Sequence, residues 1–514
     1  MEVLREILLV VTSKGDKAHL LQELDSVNGD SEASDSLTAR FIRGIYDDSW
    51  PDDETAAQAL YGSDTGDQRY RTLKSRVFER LLHSLLFLQV KQPEHSEYLA
   101  YYYKCTRNLL CAQTLTRFAA RNAGYSIATK TLTIAQKYQF TDLCLSLSAM
   151  LAETSAFWMK KKDFKYYSSL VDKYLGNLAA EYKSSQYLDQ LGLESDNSSR
   201  KRGHLATYAL GLLDTIETLI TQHDTHLLRL NAYRFKLVYL QLIEDYDGTI
   251  NNCDAAVKYL TEHPHLSQKA RLGEFILNKM LCCTYLRRYS EAHAMSDICI
   301  TYFKIGGSNW YLAIDLAFVT ASNLCDFDKA LGYYVKATTH EQFTKHREAS
   351  VRERWLLYYA YLLLAKRMVL IDSDLIQSKH FRLATYLNSL PEESKSKLAF
   401  NVLILISHVY FLILDGNYDA AEKRVEYLKV YTSRWLKEKE YLRVRLFLKM
   451  LYNFSRFSFD AKAIRNGNKE LYRELQDSGK DPMPSETNEL IPFEVMYERI
   501  LDHLEKHRAG LLVK

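Results

Sequence analysis

Apolar residues recur at helical spacing along most of the chain. The pattern is clearest from Trp310 to Ala337. There Trp310, Ile314, Ala317, Phe318 and Ala321 share one stripe and Asp326-Phe327-Asp328 interrupts it. Ala330, Tyr334 and Ala337 then open a second stripe at i, i+4 and i+7. This predicts two helices joined by a tight turn. The same punctuation, a polar residue followed by an aromatic one, returns at Asp163-Phe164, Asp245-Tyr246, Arg288-Tyr289 and Asn417-Tyr418. The aromatic positions are 82, 43, 38 and 91 residues apart, so halving the outer intervals gives a period near that of two-helix repeats. Val351 to Arg367 and Ser378 to Leu390, ended by Pro391, supply the missing pair in the last interval. In the first interval, the polar, serine-rich stretch Ser184 to Gly203 predicts a loop.

The two ends differ from this middle. Residues 1–95 predict an N-terminal helical domain, with short helices at about 2–12 and 16–24 and a polar loop from Asn28 to Ser36. A helix over Ser36 to Tyr46 follows, with Ser36 as N-cap, and then an acidic turn. Asp53 or Thr55 is expected to cap Glu54 to Tyr61, and Asp67 to open a long helix reaching about Val90. Residues 96–458 are read as the repeats and 459–514 as a C-terminal loop and capping helix. In that last part Gln476 to Ile491 reads as loop, and Val495, Ile500, Leu501 and Leu504 lie on one side of the final helix.

Composition supports helix throughout. The chain has only 7 prolines and 19 glycines, and 94–263 and 265–390 contain no proline. The 37 tyrosines are read as groove fillers between helices, with hydroxyls reaching water or a partner. The eight cysteines form no CxxC and sit mostly in apolar runs, as buried thiols of a reducing compartment do. MEVLREILLVV lacks the form of a signal peptide. The longest apolar run, Ala399 to Leu414, is interrupted by Asn401, Ser407 and His408 and reads as a buried helix rather than a membrane span. A cytoplasmic protein with no membrane contact is the expectation. A net charge of +3 gives no whole-chain argument for an anionic partner, which leaves room for a local basic patch.

The hairpins resemble the tetratricopeptide-repeat (TPR) family, which carries a turn glycine, an aromatic two residues later and an alanine three after that. Gly416, Tyr418 and Ala421 match it, as do Ala330, Tyr334 and Ala337 in the second helix. Glu244, Arg287 and Cys325 stand where the turn glycine belongs, and Phe318 where the first helix has a small residue. The resemblance covers roughly two-thirds of the chain. It implies an all-α array of TPR-like hairpins forming a solenoid, with partners held on the inner face by polar and aromatic residues of first helices. Lys279, Tyr311, Arg354 and Tyr358 are the candidates. Ala56 to Leu86 separately resembles the second half of the winged-helix domain of bacterial regulators that carry a helical-repeat domain. That resemblance implies a DNA-contacting helix, with Arg69, Arg76 and Arg80 as its basic stripe.

There is no GxxxxGK[ST], GxGxxG, HExxH or GxSxG. His503 and His507 have i, i+4 spacing without a third ligand, His340 and His346 are six apart, and His223 and His226 flank a helix boundary. The expectation is a non-catalytic scaffold that binds a protein or peptide, without cofactor or metal. The alternative is a transcriptional regulator touching DNA through residues 1–95.

Overall fold

The computed structural model describes residues 1–14, 36–87, 97–195, 202–266, 268–341, 343, 349–377, 386, 398–436, 441–479, 482 and 489–508. Among the described residues there are twenty-two α-helices and no strand. The chain divides into two compact units. Residues 1–180 with 265–268 form the first, and 181–264 with 269–514 the second. The expected helices at 16–24 and Ser378 to Leu390 lie outside the described residues, apart from Tyr386.

The first unit begins with α1 (Glu2–Lys14), α2 (Leu37–Tyr46), α3 (Asp53–Tyr61) and α4 (Gln68–Phe87). Leu4, Leu8, Phe41, Ile42, Ile45, Leu73, Val77 and Leu81 form its core, and the Trp50 ring stacks on Phe41 at 5.9 Å. Ser36 caps α2 as expected, accepting from the Ala39 N–H at 3.1 Å. The cap of α3 is Asp52 rather than Asp53 or Thr55. Its carboxylate takes the Thr55 N–H at 2.8 Å, which leaves Asp53 to receive Lys74 and the Tyr70 hydroxyl. Burial opposes ionisation of Asp53, but those hydrogen bonds outweigh it and hold the carboxyl down to about 2. Next, α5 (Glu97–Arg117), α6 (Arg121–Lys137) and α7 (Thr141–Phe157) pack in succession around Cys105, Leu132, Tyr138, Cys144, Leu147 and Leu151.

The expected loop at Ser184 to Gly203 is largely helix, because α8 runs Lys161–Ser195. Its serines are internal members of the packing. Ser184 is buried, donates to the Glu181 carbonyl at 2.8 Å and accepts the Asn231 amide at 3.0 Å. Tyr187, Leu188 and Leu191 keep an apolar stripe among the polar residues. Residues 196–201 lie outside the described set.

In the second unit, helices follow one another in contact as they do in sequence. They are α9 (Arg202–His223), α10 (His226–Leu242), α11 (Tyr246–Glu262), α12 (Lys269–Tyr285), α13 (Tyr289–Thr301), α14 (Ser308–Asn323), α15 (Phe327–Thr338), α16 (Ala349–Arg367), α17 (Leu398–Leu414), α18 (Tyr418–Trp435) and α19 (Leu442–Arg456). Packing on sequence neighbours is what a helical-repeat arrangement requires. Residues 461–478 form two further helices, α20 (Ala461–Gly467) and α21 (Lys469–Ser478), the second running three residues into the Gln476 to Ile491 stretch that was expected to be loop. The last, α22 (Phe493–Arg508), buries Phe493, Met496, Tyr497, Ile500, Leu501 and Leu504. No described helix is long and apolar enough to cross a membrane.

One turn recurs in both units. Among the described residues, ten helix ends share a positive-φ residue in one hydrogen-bond pattern: Asp48, Ala119, Gln139, Met159, Glu244, Arg287, Cys325, Val369, Gly416 and Ser458. Each donates to the carbonyl three residues back, and the following N–H reaches the carbonyl five back at 2.8–3.0 Å. That is the Schellman pattern, which consumes two carbonyls left open at a helix end. Nine of the ten lack the glycine that fits it. Glu244, Arg287 and Cys325 thus hold the left-handed backbone for which a glycine was expected. Phe318 also departs from the small-residue pattern for a visible reason, since its ring stacks on Tyr358 of the next first helix at 4.4 Å.

Candidate interaction face

Polar side chains connect successive first helices of the second unit in a row of rungs. Arg234 of α10 donates to Glu274 of α12 at 2.8 Å, and Arg271 reaches the other oxygen of the same carboxylate at 3.1 Å. Further along the same helices, the Gln241 amide donates to Asn278 at 2.9 Å. Between α14 and α16, Asp315 accepts from the Tyr358 hydroxyl at 2.7 Å and from Arg354 at 3.3 Å. The Tyr361 hydroxyl then donates to the Leu403 carbonyl of α17 at 3.0 Å. Thr284 and Thr320, 3.5 Å apart, set the register of α12 against α14, so that Lys279 and Asp315 occupy corresponding places.

The four predicted residues fall differently on this face. Arg354 has 52% of its side chain exposed, the most open of the four. Lys279 is half-buried and held by Asp254 of α11 at 2.6 Å. Tyr358 is buried, with its hydroxyl committed to Asp315. Tyr311 is also buried, its ring edge-on to Trp310 at 4.9 Å, and it fills space between helices rather than facing solvent. Burial raises the Asp315 carboxyl, against the opposing pull of Arg354 and the Tyr358 hydrogen bond. It also drives the Tyr358 hydroxyl well above its usual range. The pair thus keeps the phenol protonated and donating at any physiological pH. Asp315 itself, together with Glu274 and Arg234, was missed by the sequence reading. A charged residue inside an apolar first-helix stripe is the signal that marks Asp315.

A second polar centre is buried. Glu489 is 3% exposed and receives Arg443 Nε and Nη2 on its two carboxylate oxygens, with Arg287 at 3.4 Å and the Phe493 N–H at 3.1 Å. Arg443 also donates to Glu494 and to the Leu475 carbonyl, both at 2.6 Å, and the Asn323 amide donates to the Glu489 carbonyl at 2.6 Å. Burial works against the charge on Arg443, but Glu489 and Glu494 outweigh it and raise its pKa. The segment leading into α22 therefore grips the α12–α13 turn, the end of α14 and the start of α19 together. The cap expected for the last repeat is a clasp over several.

The basic stripe on α4 is uneven. Arg69 is exposed but paired with Asp67 at 2.7 Å, Arg76 is exposed, and Arg80 is half-buried. The place for a β-wing, 88–96, lies outside the described residues. Of the histidine pairs, His503 and His507 stack at 6.3 Å, His226 is buried against Tyr259, and His346 lies outside the described set. Among the described residues no three His, Cys, Asp or Glu side chains gather as a metal site would require. Comparison with protein-family models, with curated proteins and with solved structures gives no match.

Proposed function

We propose that the chain is a non-catalytic, TPR-like scaffold that takes a peptide or partner protein along the rungs of α10, α12, α14 and α16. The observation carrying this reading is the partial exposure of that row. Arg234, Glu274, Lys279 and Arg354 each keep between 22% and 52% of the side chain open while their positions are fixed by neighbours. Charged groups that are held yet accessible give specificity at little ordering cost. The test is affinity capture from the native host with the wild-type chain beside Arg354→Glu and Arg234→Glu. A protein retained by the wild type and lost by both variants supports the reading. A set of captured proteins identical across all three removes it.

The regulator reading rests on Arg76 and its neighbours. Arg69 is committed to Asp67, so this stripe offers less free charge than the sequence implied. Gel-shift at about 50 mM salt, where phosphate contacts are strong, with Arg76→Ala and Arg80→Ala alongside, decides it. No shift with any DNA removes the regulator.

A further inference from the structure

The end of the first unit formed by the α5–α6 and α7–α8 turns presents apolar side chains to solvent. Phe118 is 82% exposed, Met159 77% and Phe157 63%. Both turns are Schellman turns, so their backbones are fixed and these side chains are held outward on rigid tips. The turns are neighbours. The Arg121 guanidinium lies over the Phe157 ring at 4.2 Å, and Trp158 meets Tyr125 at 5.1 Å.

Cations surround the tips. Arg117, Lys160, Lys161, Lys162 and Lys165 are exposed and Arg121 half-exposed, and among the described residues none of the six is in an ion pair. The carboxylates nearby are Asp163, half-buried in the first turn of α8, and Glu153, one turn before Phe157. The stretches 117–121 and 157–165 carry six cations and one carboxylate, a net +5 in a chain whose total is +3. We propose that this end is a docking surface for an anionic lipid bilayer. Phe118, Phe157 and Met159 would enter the interface, and the arginines and lysines would lie against the headgroups.

Charge and shape together select this occupant. Apolar side chains on protruding turn tips insert into a soft interface, and basic residues behind them meet negative headgroups. A nucleic acid would instead stack its bases on flat, open rings. At these tips Phe157 is covered on one face by Arg121 and Trp158 by Lys160 at 4.7 Å, so Phe118 is left as a single uncovered ring rather than a platform for successive bases. Each lysine or arginine near an anionic surface strengthens binding about fivefold, so a double charge reversal is expected to weaken it by well over tenfold.

The test is co-sedimentation of the full chain with vesicles of phosphatidylcholine alone and with vesicles containing phosphatidylserine. Variants are Phe118→Ser with Met159→Ser, and Lys161→Glu with Lys162→Glu. All four positions are exposed, so the melting curve of each variant should match the wild type. The expected result is binding to the phosphatidylserine vesicles only, weakened by salt and lost in both variants. Absence of binding at low salt overturns the proposal, as does binding that both variants retain. A single-stranded oligonucleotide arm overturns it if the chain prefers the oligonucleotide to vesicles. Sedimentation equilibrium overturns it if the apolar variants dissolve a dimer while vesicle binding stays unchanged.

Discussion

Ala119→Gly, Val369→Gly and the reverse change Gly416→Ala isolate what the recurrent turn costs. All three positions have φ between 57° and 70°, a region where a Cβ crowds the following carbonyl. That conformation costs about 1–2 kcal/mol for a residue with a side chain. A glycine loses roughly 0.5–1 kcal/mol more backbone entropy on folding. The difference predicts that each glycine variant gains about 0.5–1 kcal/mol and that Gly416→Ala loses a similar amount. Ala119 is the cleanest site, because only a methyl group is removed. Val369 should gain most, because it is β-branched and 76% exposed, so little packing is lost with it. At Gly416 the new methyl would meet only His507 Nε2 at 3.8 Å, an ordinary contact, so any loss there is backbone strain. The assay is thermal unfolding followed by circular dichroism. Ala119 lies in the first unit and, among the described residues, shares no bonding partner with the other two, so its effect should add to either of theirs within a few tenths of a kcal/mol. The Val369 and Gly416 turns are instead joined by the Arg367–Asp415 pair and are expected to couple. The reasoning fails if the two glycine variants melt lower than wild type, or if Gly416→Ala leaves the melting point unmoved.

Three further outcomes are expected. His408 sits fully buried in α17 with its ring edge-on to Tyr386, and burial first, then Arg424, pushes its pKa down to about 4. The unfolded chain therefore holds an extra proton between pH 6.5 and 4. Its stabilising contribution is complete above 6.5 and falls by about 2 kcal/mol by pH 5. His408→Leu should melt with less acid sensitivity over that range, and an unchanged gap between pH 7.5 and pH 5 would speak against it. Glu489→Gln leaves Arg443 buried with half its charge partners and should cost about 3 kcal/mol, read as a lower urea midpoint with unchanged secondary structure. Asp53→Asn removes the carboxylate shared by Lys74 and Tyr70. It should lower the first unit's stability by about 1 kcal/mol at neutral pH, an effect that fades from pH 3.8 downward and is gone only below about pH 2, where the wild-type carboxyl takes up its proton.

Helical periodicity made the all-α class and most hairpin positions legible. Tyr246, Tyr289, Phe327 and Tyr418 each start the second helix of a pair, as the punctuation at Asp245, Arg288, Asp326 and Asn417 indicated. The turns themselves were half hidden. Of the ten Schellman residues only Gly416 advertises its left-handed backbone, whereas Arg287 or Val369 in that conformation has no local signature and is held there by the two hydrogen bonds and the packing around them. Ser184 to Ser195 misled because serine counts as a breaker until its hydroxyl is seen bonded inside the helix. The rung at Asp315 depends on a partner some forty residues away, and the Glu489 centre on partners up to 202 residues away. Single-sequence spacing carries no information at that range.

That long reach changes how the second unit should fold. An array that packs only on sequence neighbours can form from either end and fray one hairpin at a time. Asn323 and Arg287 meet Glu489 across 166 and 202 residues, so the array is also closed by a contact of very high sequence separation. Such a closure is slow to form and resists opening once made. During synthesis the hairpins from α12 onward emerge before their clasp exists, and the Arg443 guanidinium waits without its carboxylates. The segment around Glu489, made after every helix of the array that it touches, is therefore the one that converts a string of locally stable pairs into a single cooperative body.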